Sequence, residues 1–228
     1  MTNIGFLHTA SVHVETFDAL AQSKTLSTEH RVHAQWLQEA QNQGLNAALR
    51  EQIGQELNAL KRDCDVVICT CSTLGEIAAE FGNSRVFRVD APMMAQAATA
   101  AADAKRGSGP SFTLLAYCLD STKETSTALL NDAFNAAGQI ANIVSVNCTA
   151  AWPHFEAADS KRFGQAIAEH IETCFADCKE QSQQVSSVVL AQASMAAALP
   201  YLGADVGCMV LSSPLSAINH ATALIRGN

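Results

Sequence analysis

Hydrophobic and polar positions follow two alternating patterns along the whole chain. Short apolar runs predict strands at about residues 3–7, 65–70, 85–89, 111–117, 143–147, 186–191 and 207–211. Helical spacing of apolar residues predicts helices at about 29–62 (interrupted near Gly44), 73–81, 92–105, 122–137, 159–182, 195–202 and 214–226. Because strands and helices alternate on this scale, we predict parallel sheets that are covered by helices.

The second half of the chain repeats the pattern of the first after a shift of 122 residues. The shift places Val66-Val67-Ile68 on Val188-Val189-Leu190 and Pro92 on Pro214. We therefore predict an α/β fold of two pseudo-symmetric α/β domains, each with a parallel-rich sheet flanked by helices. The predicted boundaries assign residues 1–95 and 210–228 to the first domain and residues 96–209 to the second.

Composition and charge narrow the classes of function. Hydrophobic residues make up 48% of the 228 residues and charged residues 16%, which argues against a disordered chain and for extensive packing of helices on sheets. The net charge of −8 argues against nucleic acid as a partner, because phosphate contacts need clustered Lys and Arg. No apolar run is long enough to span a membrane, and no basic segment precedes the first apolar run. We expect a cytoplasmic protein, and the sequence leaves a homo-oligomer open.

The 8 cysteines are expected to be free thiols, because a reducing compartment disfavours disulfides. His170, Cys174 and Cys178 share one helical face by their spacing, but no second ligand cluster completes a metal site there. We therefore predict no metal site.

The most informative stretch is 65–76, in which an apolar strand leads into cysteine, serine, threonine and glycine before a helical pattern begins. In an α/β protein this order places Cys71 at the carboxyl end of a buried strand and at the start of the next helix. Backbone N–H groups and the helix dipole favour negative charge at such a position, so Cys71 is a candidate thiolate. The alternative is a small buried cysteine that only fills space.

Three short motifs resemble those of the aspartate/glutamate/hydantoin racemase superfamily. Cys71-Ser72-Thr73 resembles the Cys-Asn-Thr turn of the aspartate/glutamate racemases. Gln192-Ala193-Ser194-Met195-Ala196 resembles the Cys-Ala-Gly-Met-Ala turn of the hydantoin racemases. Thr122 and Thr125 form a Thr-x-x-Thr segment that is similar to the one that holds a substrate carboxylate in this superfamily.

The resemblance implies an enzyme that works without a cofactor at a carbon next to a carboxylate or carbonyl of a small substrate. Members of the superfamily use two cysteines, one of which removes the α-proton while the other returns a proton to the opposite face. Cys71 matches the first of these cysteines. The resemblance further implies substrate binding by Ser72, Thr73, Thr122, Thr125 and Ser194.

The chain departs from this pattern at the second cysteine. The family register places Gln192 there, whereas the internal repeat places Ala193 at the position that corresponds to Cys71. Neither side chain exchanges a proton near neutral pH, so the family register, which we prefer, predicts proton transfer on one face only. Gln192 would then donate a hydrogen bond to the substrate.

Several alternatives remain open at this point. A single thiol is compatible with a decarboxylase or lyase, with an isomerase in which the thiolate is a nucleophile, or with a racemase whose second base is His8 or His13. His8 and Thr9 follow the first strand and could reach a substrate at the strand ends, although a lone histidine there is more often a structural hydrogen-bonding group. The same residues could also belong to a non-catalytic paralogue that only binds small carboxylates. For Ser121 or Thr122, the alternative to carboxylate binding is a helix N-cap.

Overall fold

The computed structural model describes residues 2–104 and 111–227, and two compact units account for them. Met1–Pro92 and Pro214–Asn228 form the first unit, and Met93–Ser213 forms the second. Each unit has a four-stranded sheet in which all strand pairs are parallel. The predicted fold of two α/β domains with parallel sheets flanked by helices is confirmed.

The first unit builds its sheet in the order β2-β1-β3-β4. Its elements are β1 (Asn3–His8), α1 (Val12–Gln22), β2 (Ser27–Val32), α2 (Ala34–Gln43), α3 (Ala47–Asp63), β3 (Val66–Cys69), α4 (Gly75–Glu80), β4 (Val86–Arg88) and, from the end of the chain, α9 (Ser213–Arg226). One face of the sheet packs against α2, α3 and α4, and the other packs against α1 and α9. The two central strands are therefore buried on both faces, which explains their continuous apolar sequence.

The second unit builds its sheet in the corresponding order, β6-β5-β7-β8. Its elements are α5 (Ala91–Ala104), β5 (Ser111–Tyr117), α6 (Asp120–Ala136), β6 (Ile143–Asn147), a short 3-10 turn (Thr149–Ala151), α7 (Trp152–Glu156), α8 (Ser160–Glu180), β7 (Gln184–Leu190), a 3-10 helix (Ala193–Tyr201) and β8 (Met209–Ser212). One face packs against α5 and α6, and the other packs against α7, α8 and the long 3-10 helix. Position 105, the predicted end of α5, lies outside the described residues.

The two sheets are equivalent strand by strand, and the pairing defines which residues correspond. Leu7 of β1 pairs with Cys69 of β3, and Ala116 of β5 pairs with Leu190 of β7. The paired positions also face equivalent helices in the two units. Cys69 packs toward α3, which precedes its strand, and Leu190 packs toward α8, which precedes its strand. Cys69 therefore corresponds to Leu190, and the 122-residue shift is one residue too long at this strand.

This correction decides between the two sequence registers at the second turn. The residue two positions after Cys69 is Cys71, and the residue two positions after Leu190 is Gln192. In the structural alignment Gln192 thus corresponds to Cys71, as in the family register, and Ala193 does not.

β8 pairs with β7 and lies in the second unit, although the predicted domain boundary after residue 209 assigns most of it to the first.

The region between β1 and α3 differs most from the sequence prediction. Residues 29–32, predicted as helix, belong to the edge strand β2, and α1 was not predicted. β2 is only partly buried and contains Glu29, His30 and Arg31, so its sequence lacks the apolar run that marks the central strands.

Of the helices that the structure describes, none has both the length and the apolar character that a membrane crossing requires.

We expect Gly164→Ala to destabilise the second unit. A Cβ atom at Gly164 in α8 would lie 2.2 Å from the carbonyl oxygen of Ala197, so α8 and the long 3-10 helix would have to separate. Overpacking of this kind costs about 1–3 kcal/mol or more of the free energy of unfolding, which urea denaturation measures. Gly54→Ala in α3 is the matched control, because no atom beyond the adjoining backbone of its own helix lies within 4 Å of its Cβ position. The control should gain roughly 0.5–1 kcal/mol from helix propensity, and an equal effect of both changes would contradict the close contact.

Candidate functional site

Cys71 lies two residues beyond β3, at the carboxyl edge of the first sheet. The chain turns through 72–74 before α4 begins at Gly75, so the helix starts later than the sequence predicted. Cys71 is 9% exposed and packs in the same cluster as Cys69 and Leu74. The thiol therefore stands at the rim of the apolar core, next to the polar turn.

The carbonyl groups of Cys71 and Ser72 are occupied, whereas the N–H groups of Ser72 and Thr73 are not. The carbonyl oxygen of Cys71 accepts the N–H of Gly75 at 2.8 Å and lies 3.7 Å from the Cys69 Sγ. The carbonyl oxygen of Ser72 accepts a hydrogen bond from Arg88 Nη2 at 3.2 Å. Within residues 2–104 and 111–227, the N–H groups of Ser72 and Thr73 donate no hydrogen bond. Two adjacent, unpaired donors beside a thiol are suited to binding an anion.

Arg88, at the end of β4, forms a buried ion pair with Asp90. Arg88 Nε lies 2.5 Å from Asp90 Oδ1, and Nη2 lies 2.9 Å from Oδ2, so both carboxylate oxygens are engaged. The two side chains are 10% and 6% exposed. Burial opposes the charge of Arg88, but the hydrogen bonds and the charge of Asp90 raise its pKa above the ordinary value. The guanidinium is therefore a permanently charged donor below the Cys71 turn.

His8 links the same edge of the sheet to the edge strand β2 through hydrogen bonds. Its Nδ1 lies 2.8 Å from Thr70 Oγ1, and its Nε2 lies 2.9 Å from His30 Nδ1. Thr70 Oγ1 also lies 3.2 Å from the Leu7 carbonyl oxygen, which can only accept. When Thr70 donates there, it accepts from His8 Nδ1–H, and His8 Nε2 then accepts from His30. His8 is fully buried, and Thr9, the next residue, is 9% exposed.

Burial favours the neutral form of these histidines. Burial first, and then the neighbouring His30 and His13, lower the pKa of His8 to about 3. Burial also lowers the pKa of His13 and of His30, although Asp18, whose Oδ1 lies 3.7 Å from His30 Nε2, acts in the opposite direction. A neutral, fully hydrogen-bonded His8 fits the structural interpretation of a strand-end histidine better than the role of a second base near neutral pH.

Most other thiols are suppressed as nucleophiles by their surroundings. Burial is the main cause in each case: it raises the pKa of Cys64, Cys118 and Cys148 to about 12 and that of Cys174 and Cys208 to about 11. Burial also raises the pKa of Cys69. All eight cysteines are free, so the reactivity of any one of them depends on its own environment.

Gln192 occupies the corresponding turn of the second unit, after β7. Its Oε1 accepts the N–H of Cys118 at 2.8 Å, which ties it to the turn between β5 and α6. Because the oxygen is used in this way, the amide group presents its Nε2 donors, and no acceptor for them is found among the described residues. Ser194 is half-buried two residues later, in the first turn of the long 3-10 helix.

Thr122 and Thr125 lie in the first turns of α6. The N-cap of α6 is Leu119, without a side-chain hydrogen bond, so the alternative in which Ser121 or Thr122 caps this helix does not hold. The helix simply begins earlier, at Asp120. Thr125 is exposed, and its hydroxyl donates to the Ser121 carbonyl at 3.1 Å, so its proton is used within the helix. Thr122 is half-buried.

The structure thus brings His8, Thr9, Cys71, Ser72 and Thr73 to one edge of the first sheet. Gln192 and Ser194 share a turn of the second unit. The predicted site residues are arranged as two strand-end groups, with Thr122 and Thr125 on α6.

Sequence reasoning missed Thr70, His30, Arg88 and Asp90. Arg88 and Asp90 carried a usable signal, because a charged residue inside the apolar run 85–89 must find a partner when that strand is buried. His30 was hidden by the wrong assignment of β2 as helix. In the part of the chain that the structure describes, no three His, Cys, Asp or Glu side chains are grouped so that they could hold a metal ion.

Comparisons with known proteins identify the fold. No protein-family model matches the sequence, and a search of the curated proteins gives no match. Among solved structures, the Picrophilus torridus aspartate racemase is similar with a TM-score of 0.58 at 15% identity, over 100% of this chain and 94% of that one. The Aquifex pyrophilus glutamate racemase has a TM-score of 0.53 at 13% identity, over 100% and 84% of the two chains.

The allantoin racemase from Pseudomonas fluorescens is similar to the same degree. Its TM-score is 0.54 at 15% identity, and the match covers 99% of this chain and 91% of that one. The chain therefore has the fold of these racemases, as the short motifs predicted.

We expect His8 to make the protein less stable as the pH falls. The folded-state pKa of His8 is about 3, below the ordinary 6.5, so between these values the unfolded chain binds a proton that the folded chain does not. Stability is lost as the pH falls below 6.5, by about 1.4 kcal/mol per pH unit for this group. Urea denaturation at pH 7.5, 6, 5 and 4.5 measures the slope.

His8→Gln removes the titrating group and should flatten this slope by about that amount. Above pH 7 the slopes of both proteins should agree, which serves as the internal control. An unchanged slope between pH 6 and 4.5 in the variant would show that His8 takes up a proton in the folded protein.

Proposed function

We propose that the chain is an enzyme of the aspartate/glutamate/hydantoin racemase superfamily that acts on a small carboxylate or amino-acid-like substrate through Cys71. The observation that carries the proposal is the Cys71 turn, in which a thiol stands beside two unpaired N–H groups within a racemase fold. The three motif resemblances support the same assignment. The likeness in fold supports the class of enzyme, and the turn supports the chemistry.

In the proposed reaction, the N–H groups of Ser72 and Thr73 bind the substrate carboxylate. The Cys71 thiolate removes the proton from the α-carbon, and the electron pair delocalises into the carboxylate as an enediolate. Hydrogen bonds from preorganised backbone donors strengthen as this charge develops. Return of the proton to the same face of the α-carbon gives only exchange with solvent, so net conversion requires the thiol to deliver the proton to a different carbon of the delocalised anion, as in an isomerase. No cofactor enters these steps. Thr9, Thr122, Thr125 and Ser194 are proposed as further substrate contacts.

Proton transfer is proposed to be confined to the Cys71 face. Gln192 corresponds to Cys71 in the second unit, and its amide has no proton to exchange near neutral pH. Its free Nε2 donors support a role in binding the substrate. A one-sided enzyme of this kind is a decarboxylase, lyase or isomerase, and in a decarboxylase the thiol protonates the carbanion that remains after CO2 leaves. The low pKa of His8 argues against that histidine as the second base.

A second candidate is a non-catalytic protein that binds small carboxylates. The glutamine at the second turn favours it, because the group that would complete a two-thiol racemase is missing. Such a protein would bind a carboxylate without reacting with it, and binding would survive Cys71→Ala.

The test is proton exchange in heavy water. Amino acids, hydantoins and substituted malonates are incubated with the protein, and NMR follows loss of the α-proton or release of CO2. We expect at least one of these classes to react, and Cys71→Ser to slow the reaction roughly 10²–10⁴-fold, the usual contribution of an acid–base group. Cys208→Ala, a half-buried cysteine of the second unit, is the matched control and should react as the wild type does. Tight carboxylate binding without any reaction would favour the second candidate.

Gln192→Cys tests the one-sided mechanism. A thiol at this position should allow the variant to interconvert two enantiomers of a substrate that the wild type only exchanges or cleaves, because the substrate is already held. Chiral chromatography measures the interconversion. Ser194→Cys, two residues away, adds the same thiol at a different position and should not racemise. If the wild type already interconverts both enantiomers, and does so at the same rate after changes at His8 and His13, then the one-sided mechanism is wrong.

A further inference from the structure

The orientation of the unpaired N–H groups depends on what holds the carbonyl groups of the same peptides. In a planar trans peptide the C=O and the N–H point in opposite directions. The carbonyl of Ser72 is held by Arg88, so the N–H of Thr73, which belongs to the same peptide, points away from Arg88. The carbonyl of Cys71 is held by the N–H of Gly75, so the N–H of Ser72, which belongs to the same peptide as that carbonyl, points away from Gly75. One of the two donors is therefore set by the backbone, and the other is set by Arg88.

The Arg88 guanidinium is itself held in place from two sides. Asp90 engages Nε and Nη2, which leaves the guanidinium plane little freedom to rotate. A Cβ atom at Gly75 would lie 3.0 Å from Arg88 Cβ and 3.4 Å from Cζ and Nε, so the absence of a side chain at Gly75 leaves room for the arginine. A lysine could not replace this arrangement, because an ammonium group lacks the planar fork that serves Asp90 and Ser72 together.

The second unit shows that the sheet does not need this ion pair. Cys69 of β3 pairs with Arg88 of β4, and the equivalent Leu190 of β7 pairs with Ser212 of β8. Ser212 therefore stands where Arg88 stands in the first unit. Its hydroxyl is buried and has no hydrogen-bond partner among the described residues. The arginine is present only in the unit whose turn contains Cys71.

We propose that Arg88, fixed by Asp90, is a positioning residue that orients the Ser72–Thr73 peptide so that the Thr73 N–H meets a carboxylate oxygen beside the Cys71 thiol. Arg88 does not contact the carboxylate and acts through the Ser72 carbonyl. The identity of the ligand as a carboxylate rests on the proposed function. The hydrogen bond from Arg88 to the Ser72 carbonyl does not depend on that proposal.

Two alkylating reagents provide a test that needs no turnover. Iodoacetate and iodoacetamide react at the same sulfur, but only iodoacetate has a carboxylate. We expect Arg88→Lys to reduce the ratio of the iodoacetate rate to the iodoacetamide rate at Cys71 about tenfold, the effect of about one charge-assisted hydrogen bond. Mass spectrometry of the Cys71 peptide measures both rates. A merely structural loosening of the turn would change the two rates together and leave their ratio unchanged.

Arg85→Lys is the matched control. Arg85 precedes β4, and its Nη1 donates to the Asp65 carbonyl at 3.4 Å on the exposed side, so the ratio should stay at the wild-type value. If Arg88→Lys does not fold, Gly75→Ala decides, because its Cβ would lie 3.0 Å from Arg88 Cβ and would force the arginine side chain to shift while every charge is kept. This variant should lower the ratio as well. An unchanged ratio in a folded Arg88→Lys or Gly75→Ala protein would overturn the inference.

The outcome separates this inference from the proposed function. If no substrate class exchanges a proton or releases CO2, but the ratio still falls in Arg88→Lys, the proposed function fails and the role of Arg88 stands. If substrates react and the ratio does not change, the proposed function stands and the role of Arg88 fails.

Discussion

Burial of both faces of each four-stranded parallel sheet constrains where this chain can keep polar groups unpaired. The central strands β1, β3, β5 and β7 are covered by helices on both sides, so their backbone groups must pair within the sheet and most of their side chains are apolar. At the carboxyl edge the ladder ends and the chain turns, and N–H groups there can remain free without being enclosed by the core. The Cys71 turn and the Gln192 turn occupy this edge in their respective units.

The sequence predicts the central strands, which obey this constraint, and misses the edge strand β2, which does not. β3 is a continuous apolar run, and β5 and β7 are apolar toward their carboxyl ends. Their predicted positions agree with the structure to within a few residues. β2 pairs on one side only and is partly exposed, so its sequence can contain three consecutive polar residues, Glu29, His30 and Arg31. Such a segment lacks the apolar run of a central strand, and the sequence pattern therefore predicts a helix there instead. The 122-residue shift is wrong by one residue at β7, because a gapless comparison aligns apolar residues by type only. Such a comparison does not register that a shift of one residue turns every side chain of a strand to the other face of the sheet.

For the candidate site, sequence reasoning found the residues that lie in the turns themselves. Cys71 and Gln192 each follow a strong strand signal, so their place at a strand end could be inferred from neighbouring residues alone. Thr70, His30 and Arg88 act through partners on other strands, and no local spacing reveals such contacts. The hydrogen bond from the Cys118 N–H to Gln192 is of the same kind: it joins residues that are far apart in the sequence, and it determines which end of the amide remains available.

The buried Arg88–Asp90 pair has a physical cost that the fold alone does not explain. Removing two charges from water costs several kcal/mol per ion, and a buried ion pair seldom returns more than it costs. The second unit forms the same sheet in the same order with Ser212 at the equivalent position, so the ion pair is not a requirement of this architecture. What the pair adds is a fixed donor directed at the Ser72 carbonyl, and through it a fixed direction for the Thr73 N–H. The Arg88–Asp90 pair contributes little net stability, but it orders the Ser72–Thr73 peptide beside Cys71, the candidate nucleophile. Its presence is therefore best explained by its effect on that peptide.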